Sequence, residues 1–341
     1  MNLVFIARGI PNPIKSAGDL RALNMLRILR AKYSITVIAS SADYGVSDVK
    51  GIGCEAFLAH SVKKIIEEKK PEVIILSHWL IANRYLDEIK TYSNAKIIID
   101  SIDLEFLRLQ RTHDFKGEEV LRQSRVDHIK QQELNMYQKA DKIIIASIPD
   151  QEELVKNGKF ETIYFPCIYT INSQKEYCSN NNAYIICNWT HEPNYEATIF
   201  LCKEVIPYVD VKFHIVGKHT PQDIWKFSSE KVIIHGAEYE LGKFLNCMSM
   251  CLAPTMYGAG INGKIGEALA FGIPVVTTPL GALAYGLEHR KTAMIAKDSK
   301  EFIDSINELM RDSLLVQSLR ENGKKLMEQF SLDYWKEKFE I

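Results

Sequence analysis

The chain has no excess of either charge: 42 lysines and arginines stand against 43 aspartates and glutamates in 341 residues. That balance supplies no global field for nucleic acid, so no nucleic-acid partner is expected. Any attraction to phosphate or to a membrane must come from local patches. The seven cysteines (Cys54, Cys167, Cys178, Cys187, Cys202, Cys247 and Cys251) are odd in number and include no CxxC pair. This argues against a disulfide framework and a zinc knuckle, and for a reducing compartment. Cys247 and Cys251, four apart, are expected on one helix. No His/Asp/Glu cluster has ligand spacing, so no metal is expected. No apolar run approaches the roughly 20 residues of a membrane-spanning helix. The start, MNLVFIARGIP, breaks too early for a signal peptide. There is no low-complexity tract. A cytoplasmic protein is expected, with contact at the inner face of a membrane left as a local-patch question.

What is present is the grammar of a parallel sheet. Apolar residues make up 46% of the chain and charged residues 25%, as in a water-soluble globular protein long enough for two domains. Short β-branched runs recur at Leu3–Ala7, Ile35–Ala39, Glu72–Leu76, Lys96–Asp100 and Ile143–Ala146. They alternate with amphipathic segments such as Leu20–Lys32, where Leu23, Leu26 and Leu29 face inward. Continuous apolar runs of this kind argue for strands covered on both faces. A long helical stretch is expected over Glu105–Lys139, and its arginines are read as a solvated face or as acceptor or membrane contacts. Ile171–Asn182 is polar and asparagine-rich, and reads as a linker. A second alternating series follows: strands at Ala183–Ile186, Lys212–Val216, Val232–Ile234, Met250–Ala253 and Ala293–Ala296, with helices at Glu196–Glu204, Leu241–Asn246 and Lys300–Arg311. The expected organisation is residues 1–170, a linker 171–182, and residues 183–341, with a last helix that crosses back to the first domain.

The densest chemistry lies in Pro254–Gly286, PTMYGAGINGKIGEALAFGIPVVTTPLGALAYG. It reads as loop, helix, buried strand and Gly turn, with the loop where a parallel sheet presents a ligand. Gly258, Gly260 and Gly263 let backbone amides approach a ligand at a helix N-terminus that favours negative charge. Lys264 adds a point charge suited to phosphate, and Glu267, one turn on, can accept hydrogen bonds from hydroxyls. A phosphate binder and a hydroxyl binder on one helix start point to a nucleotide, or a nucleotide joined to a sugar. The competing reading is an exposed i,i+3 pair worth a few tenths of a kcal/mol.

This segment resembles the donor-binding loop of retaining GT-B fold glycosyltransferases of family 4, in particular a bacterial subgroup reading YGAGxxGKxxEALAxGxPVVTTxxG. NWTHEPNYEATIFLCKEVIP (188–207), FHIVGK (213–218) and HGAEYELGKFLN (235–246) resemble further segments of the donor domain. ARGIPNPIKSAGDLRALNMLRIL (7–29) and IIIDSIDLEFLRLQR (97–111) resemble segments of the first domain. The resemblance implies an α/β architecture of two Rossmann-like, doubly wound parallel-sheet domains facing across a cleft. It implies a retaining transferase that moves a sugar from a nucleotide-diphosphate sugar to a glycan, lipid-linked or protein acceptor, in cell-surface polysaccharide or glycoconjugate synthesis, with no cofactor and no metal. Two competing readings are a catalytically weak GT-B partner subunit and a sugar-nucleotide epimerase.

Carried over by position, Glu267 is expected on the ribose hydroxyls and Lys264 on the diphosphate. The backbone of Gly260, Ile261, Asn262 and Gly263 is expected at the diphosphate or donor sugar. Gly18 would leave room for the diphosphate, with Asp19 and Arg21 beside it on the acceptor side. Asn188, His191 and Gly217 are expected at the donor, and Asp103 is expected to be catalytic alongside Lys264. For several of these a plainer role competes: helix capping for Gly18, Asp19 and Asp103, a solvated side chain for Arg21, and a loop histidine for His191. The sequence departs from the family pattern at five positions. Ala259 stands where the first glutamate of Glu-x7-Glu belongs, Asn188 and Asn194 where an arginine and a lysine belong, Cys187 for a glycine, and Ile102 for a histidine.

Overall fold

The computed structural model describes residues 1–12, 16–39, 46–58, 61–172, 180–237 and 240–341. Most of the expected linker, residues 173–179, and Cys178 with it, lies outside them. The chain divides into two units. The first comprises Met1–Ile168 with Ala259–Ile261 and Trp335–Ile341, and the second Tyr169–Gly258 with Asn262–Tyr334.

The first unit runs β1 (Asn2–Ala7), α1 (Ala17–Leu29), β2 (Ser34–Ala39), α2 (Val46–Gly51), β3 (Glu55–Leu58), α3 (Val62–Lys69), β4 (Val73–Ser77), α4 (Trp79–Tyr92), β5 (Lys96–Asp100), α5 (Glu105–Lys116), α6 (Gln123–Gln138), β6 (Lys142–Ile145), α7 (Ile148–Lys156) and β7 (Thr162–Tyr164). Among the described residues these strands form a seven-stranded parallel sheet in the order β3-β2-β1-β4-β5-β6-β7. The continuous apolar runs of β1, β4 and β5 are buried because helices cover both faces of such a sheet. Leu23, Leu26 and Leu29 of α1 are buried as expected.

The expected single helix over Glu105–Lys139 is two, broken at Gly117, whose φ is +87°. The N-terminus of α5 is closed from a distance. The Glu133 carboxylate of α6 accepts from the amides of Glu105 (3.1 Å) and Phe106 (2.8 Å), and the Tyr137 hydroxyl donates to it at 2.7 Å. Two of the four orphan amides of a helix start are satisfied in this way.

The second unit runs β8 (Asn182–Ile186), α8 (Glu192–Phe200), β9 (Lys212–Val216), α9 (Gln222–Trp225), β10 (Val232–Gly236), α10 (Leu241–Asn246), β11 (Met250–Ala253), α11 (Gly263–Ala270), β12 (Val275–Thr277), α12 (Pro279–Leu283), β13 (Met294–Ile295), α13 (Ser299–Arg311) and α14 (Ser313–Met327). A final helix, α15 (Leu332–Lys338), carries the chain from the second unit into the first. The described strands make a six-stranded parallel sheet, β10-β9-β8-β11-β12-β13. Cys247 and Cys251 do not share a helix. Cys247 follows α10 and is exposed, while Cys251 lies buried in β11. The four-residue spacing spans a turn into a strand.

Strand order reverses between β8 and β11. Crossovers on either side of that point leave in opposite directions, so the loops after β8 and β11 splay apart and open a crevice at the carboxyl edge of the sheet. The two segments richest in candidate residues, 187–194 and 254–264, are those loops.

Candidate functional site

In the second unit, Lys264 occupies the second position of α11 and is partly buried. Its ammonium donates to the Asn194 side-chain carbonyl at 2.6 Å. Burial lowers its pKa, and the groups that oppose this are the thiols of Cys187 and Cys251. No carboxylate pairs with it among the described residues. Glu267, three residues on, is not its partner, so the i,i+3 pair is not formed. Burial alone pushes the Glu267 carboxyl up to about 7, and no hydrogen bond to it is found among the described residues.

One helix turn thus presents a cation without a counter-ion and a carboxyl without a donor. Asn262, the N-cap, does not cap α11 with its side chain. Its amide donates to the Thr255 hydroxyl at 2.9 Å, and its carbonyl accepts from the Tyr285 hydroxyl at 3.0 Å. The first-turn amides at Gly263 and Lys264 therefore lack a side-chain cap, as an anion site requires.

The loop after β8 is built from asparagines. The Asn188 side chain accepts from the amide and hydroxyl of Thr190 at 3.1 and 2.8 Å, and its carbonyl accepts from the Asn194 amide group at 2.8 Å. His191 is the exposed N-cap of α8 and makes no side-chain cap bond. Asn188, Asn194 and Lys264 form one hydrogen-bonded chain that joins the two loops of the switch point. Gly217, expected at the donor, has a packing reason to be glycine. A β-carbon there would meet the Cys187 carbonyl and the Trp189 indole nitrogen at 2.5 Å.

In the first unit, Arg21 is not on an open acceptor surface. It is 1% exposed, with Nη1 on the Asp100 carboxylate at 2.7 Å, Nε on the Phe165 carbonyl at 2.8 Å, and its guanidinium over the Phe165 ring. The ion pair is spent inside the protein, which corrects the expectation for Arg21. Asp19 and Ser16 cap α1 reciprocally: the Ser16 hydroxyl donates to the Asp19 carboxylate at 2.6 Å and accepts from its amide at 3.1 Å. The plainer role for Asp19 is therefore present. A β-carbon on Gly18 would make only ordinary contacts, 3.6 Å to Ile102 and 3.7 Å to Ser16, so packing does not demand glycine there.

Asp103 does not cap α5. The N-cap is Leu104 with no side-chain bond, and the Asp103 carboxylate lies 3.7 Å from Arg108 Nε. It is aimed by a tight turn in which its amide donates to the Ser101 carbonyl at 2.8 Å across Ile102, which holds φ +63°. A β-branched residue in that region is strained.

Gly260 and Ile261 group with this first unit. The Gly260 amide donates to the Asp150 carboxylate at 2.9 Å, and a β-carbon at Gly260 would sit 2.9 Å from that of Asp103. With φ at +74°, this glycine is required by the protein itself, and its amide is already engaged. Asp150 is 1% exposed, and burial, with Asp103 next, pushes it up to about 6. Sequence reasoning missed it. Ser147-x-x-Asp150 after a strand reads only as a helix cap, and that cap is present, the Asp150 amide donating to the Ser147 hydroxyl at 3.2 Å. Among the described residues no group of three or more His, Cys, Asp or Glu is placed to hold a metal ion, and no helix is long and apolar enough to cross a membrane.

Solved structures of similar fold span almost the whole chain. Sucrose-phosphate synthase from Thermosynechococcus elongatus aligns with a TM-score of 0.78 and 13% identity, over 98% of this chain and 96% of that one. HepE from Anabaena, solved with UDP and glucose, aligns at 0.77 and 14%, over 99% and 97%. The lipopolysaccharide-biosynthesis glycosyltransferase WaaG aligns at 0.66 and 11%, over 98% of each chain. Two parallel-sheet units in this arrangement of strands define the GT-B fold. Residues 182–312 match the family described as glycosyl transferases group 1, and the protein is a glycosyltransferase enzyme. No curated protein sequence matches the chain significantly.

Proposed function

We propose that the protein transfers a sugar, with retention at the anomeric carbon, from a nucleotide-diphosphate sugar to an acceptor hydroxyl in the synthesis of a cell-surface polysaccharide or glycoconjugate. The observation that carries this reading is the first turn of α11: the Lys264 ammonium without a carboxylate, over uncapped amides, with the unpartnered Glu267 carboxyl one turn away. A diphosphate supplies the missing negative charge, and vicinal ribose hydroxyls supply the missing donors. HepE, which shares the fold, is solved with UDP-glucose.

Charge develops on the leaving diphosphate in such a transfer, and donors fixed before the reaction stabilise it with little reorganisation. Lys264 and the amides of Gly263 and Lys264 are assigned that role, Glu267 the ribose, and Asn188 and His191 the rim of the donor site. Asp103 is assigned to the acceptor step. The leaving phosphate oxygen takes the acceptor proton in a front-side attack. The acceptor is a glycan, a lipid-linked sugar or a protein, and no cofactor or metal is assigned. Work at the cytoplasmic face of a membrane is part of this reading.

A second reading, a weakly catalytic partner subunit, has Ala259 in its favour. Its methyl packs against the apolar core of the first unit, at the position where the resemblance places a sugar-reading glutamate. A screen of UDP-, GDP- and ADP-sugars by thermal shift identifies the donor class by mass action, and product mass separates transfer, hydrolysis and epimerisation. Transfer or hydrolysis that is lost in Lys264→Ala and Glu267→Ala supports the first reading. Binding without turnover supports the second, and unchanged turnover in both variants overturns the site.

A further inference from the structure

We infer that Asn194 is the positioning residue for Lys264, a neutral clamp that holds the ammonium at the diphosphate position without neutralising it. The inference rests on the donor site proposed above and adds a residue to it. The geometry fixes the amide in one sense. The Asn194 NH2 group donates to the Asn188 carbonyl at 2.8 Å and its oxygen accepts from Lys264 Nζ at 2.6 Å. A flipped amide would set its NH2 against the ammonium and its oxygen against a carbonyl. The residue itself is held by its backbone, its amide on the His191 carbonyl at 3.0 Å and its carbonyl accepting from the Thr198 hydroxyl at 2.8 Å.

The chemistry explains why an amide suits this position. A long lysine side chain has much rotamer freedom to lose, and an acceptor that orders it before the ligand arrives removes that cost from binding. A carboxylate would order it too, but would cancel the charge the diphosphate needs. The other groups facing the ammonium are the thiols of Cys187, at the end of β8, and Cys251, in β11. Both are held protonated by burial. Glu267, on Lys264's own helix, is not among the groups that shift it. Every neighbour is thus neutral or turned elsewhere, and Asn194 is the contact that aims the charge.

The test compares Asn194→Ala, which removes the acceptor, with Asn194→Asp, which is nearly isosteric with asparagine but brings a negative charge. Two readouts are taken. The first is the titration of the Lys264 ammonium in the ligand-free protein, followed by NMR of 15N-labelled lysine. The second is the affinity for UDP, with GDP and ADP in parallel.

Loss of the acceptor in Asn194→Ala lowers the Lys264 pKa further and weakens nucleotide binding about tenfold. The carboxylate in Asn194→Asp raises the Lys264 pKa yet weakens binding more, by about a hundredfold. A merely structural asparagine predicts the same direction in both variants. A Lys264 titration unchanged in both overturns the inference whatever the nucleotide result. Wild-type binding equal to that of Lys264→Ala overturns the donor-site reading instead. Circular dichroism and the remaining lysine resonances establish that the variants are folded.

Discussion

The protein holds two partly or wholly buried cations that the sequence singles out alike, and they have opposite surroundings. Arg21, in the first unit, meets a carboxylate, a backbone carbonyl and an aromatic face, and is closed off at 1% exposure. Lys264, in the second, meets one neutral amide and two thiols and keeps its charge uncompensated. A buried charge is costly unless it is paired. Arg21 is therefore part of what holds the first unit together, while Lys264 carries a cost that only a bound anion removes. The complement of a buried cation, more than its presence, separates a strut from a binding group.

That contrast is easiest to break at Arg21. Arg21→Ala strands the Asp100 carboxylate in the interior and costs about 3–5 kcal/mol, the range for removing one partner of a buried pair. Differential scanning calorimetry should show one transition collapse toward room temperature, with nucleotide affinity unchanged wherever the second unit stays folded. Lys264→Ala should do the reverse. Affinity for the nucleotide falls about 10–100-fold, as for loss of a hydrogen bond to a charged group, and thermal stability stays level or rises. If Lys264→Ala lowers stability as much as Arg21→Ala does, the two cations are both struts and the contrast is lost.

Asp150→Ala leaves the Gly260 amide unpaired and should cost about 1–3 kcal/mol. Asp150→Asn retains an acceptor oxygen and should recover most of that loss in denaturant titrations.

The smallest effect concerns Glu267 and pH. Its folded pKa, about 7, lies above the ordinary 4.5. Below pH 4.5 the carboxyl is protonated in both states and costs nothing. Between 4.5 and 7 the unfolded chain releases a proton that the folded protein keeps, so stability falls as pH rises, and above 7 the full cost persists. Glu267→Gln should accordingly raise the melting temperature by about 2–4 °C at pH 8, the scale of a 1 kcal/mol change in a unit of this size, and leave it unchanged at pH 4. A gain at pH 4 that vanishes at pH 8 would reverse the assignment. In the presence of saturating nucleotide the gain at pH 8 should disappear, because the ribose hydroxyls then serve the carboxylate.

The same contrast marks what was legible in the sequence. Lys264 and Glu267 share one helix turn, so spacing alone placed them together. The pairing of Arg21 with Asp100 spans 79 residues, and that of Gly260 with Asp150 spans 110. No local pattern encodes such pairs. Central strands such as β4 and β5 announce themselves as apolar runs because both faces are covered. Strands β3 and β7 lie at the edges of their sheet, β3 largely exposed and β7 half-buried, and carry no such run. The break at Gly117 has no local signature, because polar helix positions flank it on both sides. The departures at Asn188 and Asn194 were visible as substitutions, but their use as a hydrogen-bonded chain to Lys264 is a property of the folded switch point.

In the proposed donor site, the first turn of α11 binds a nucleoside diphosphate through Lys264. Calorimetric titration of UDP, GDP and ADP into the wild-type protein and Lys264→Ala at pH 7.5 tests it directly. One of the three should bind the wild type at least tenfold more tightly than the variant, with the variant's melting temperature undiminished. Equal affinity in the two proteins, or no binding of any of the three to the wild type, would contradict it.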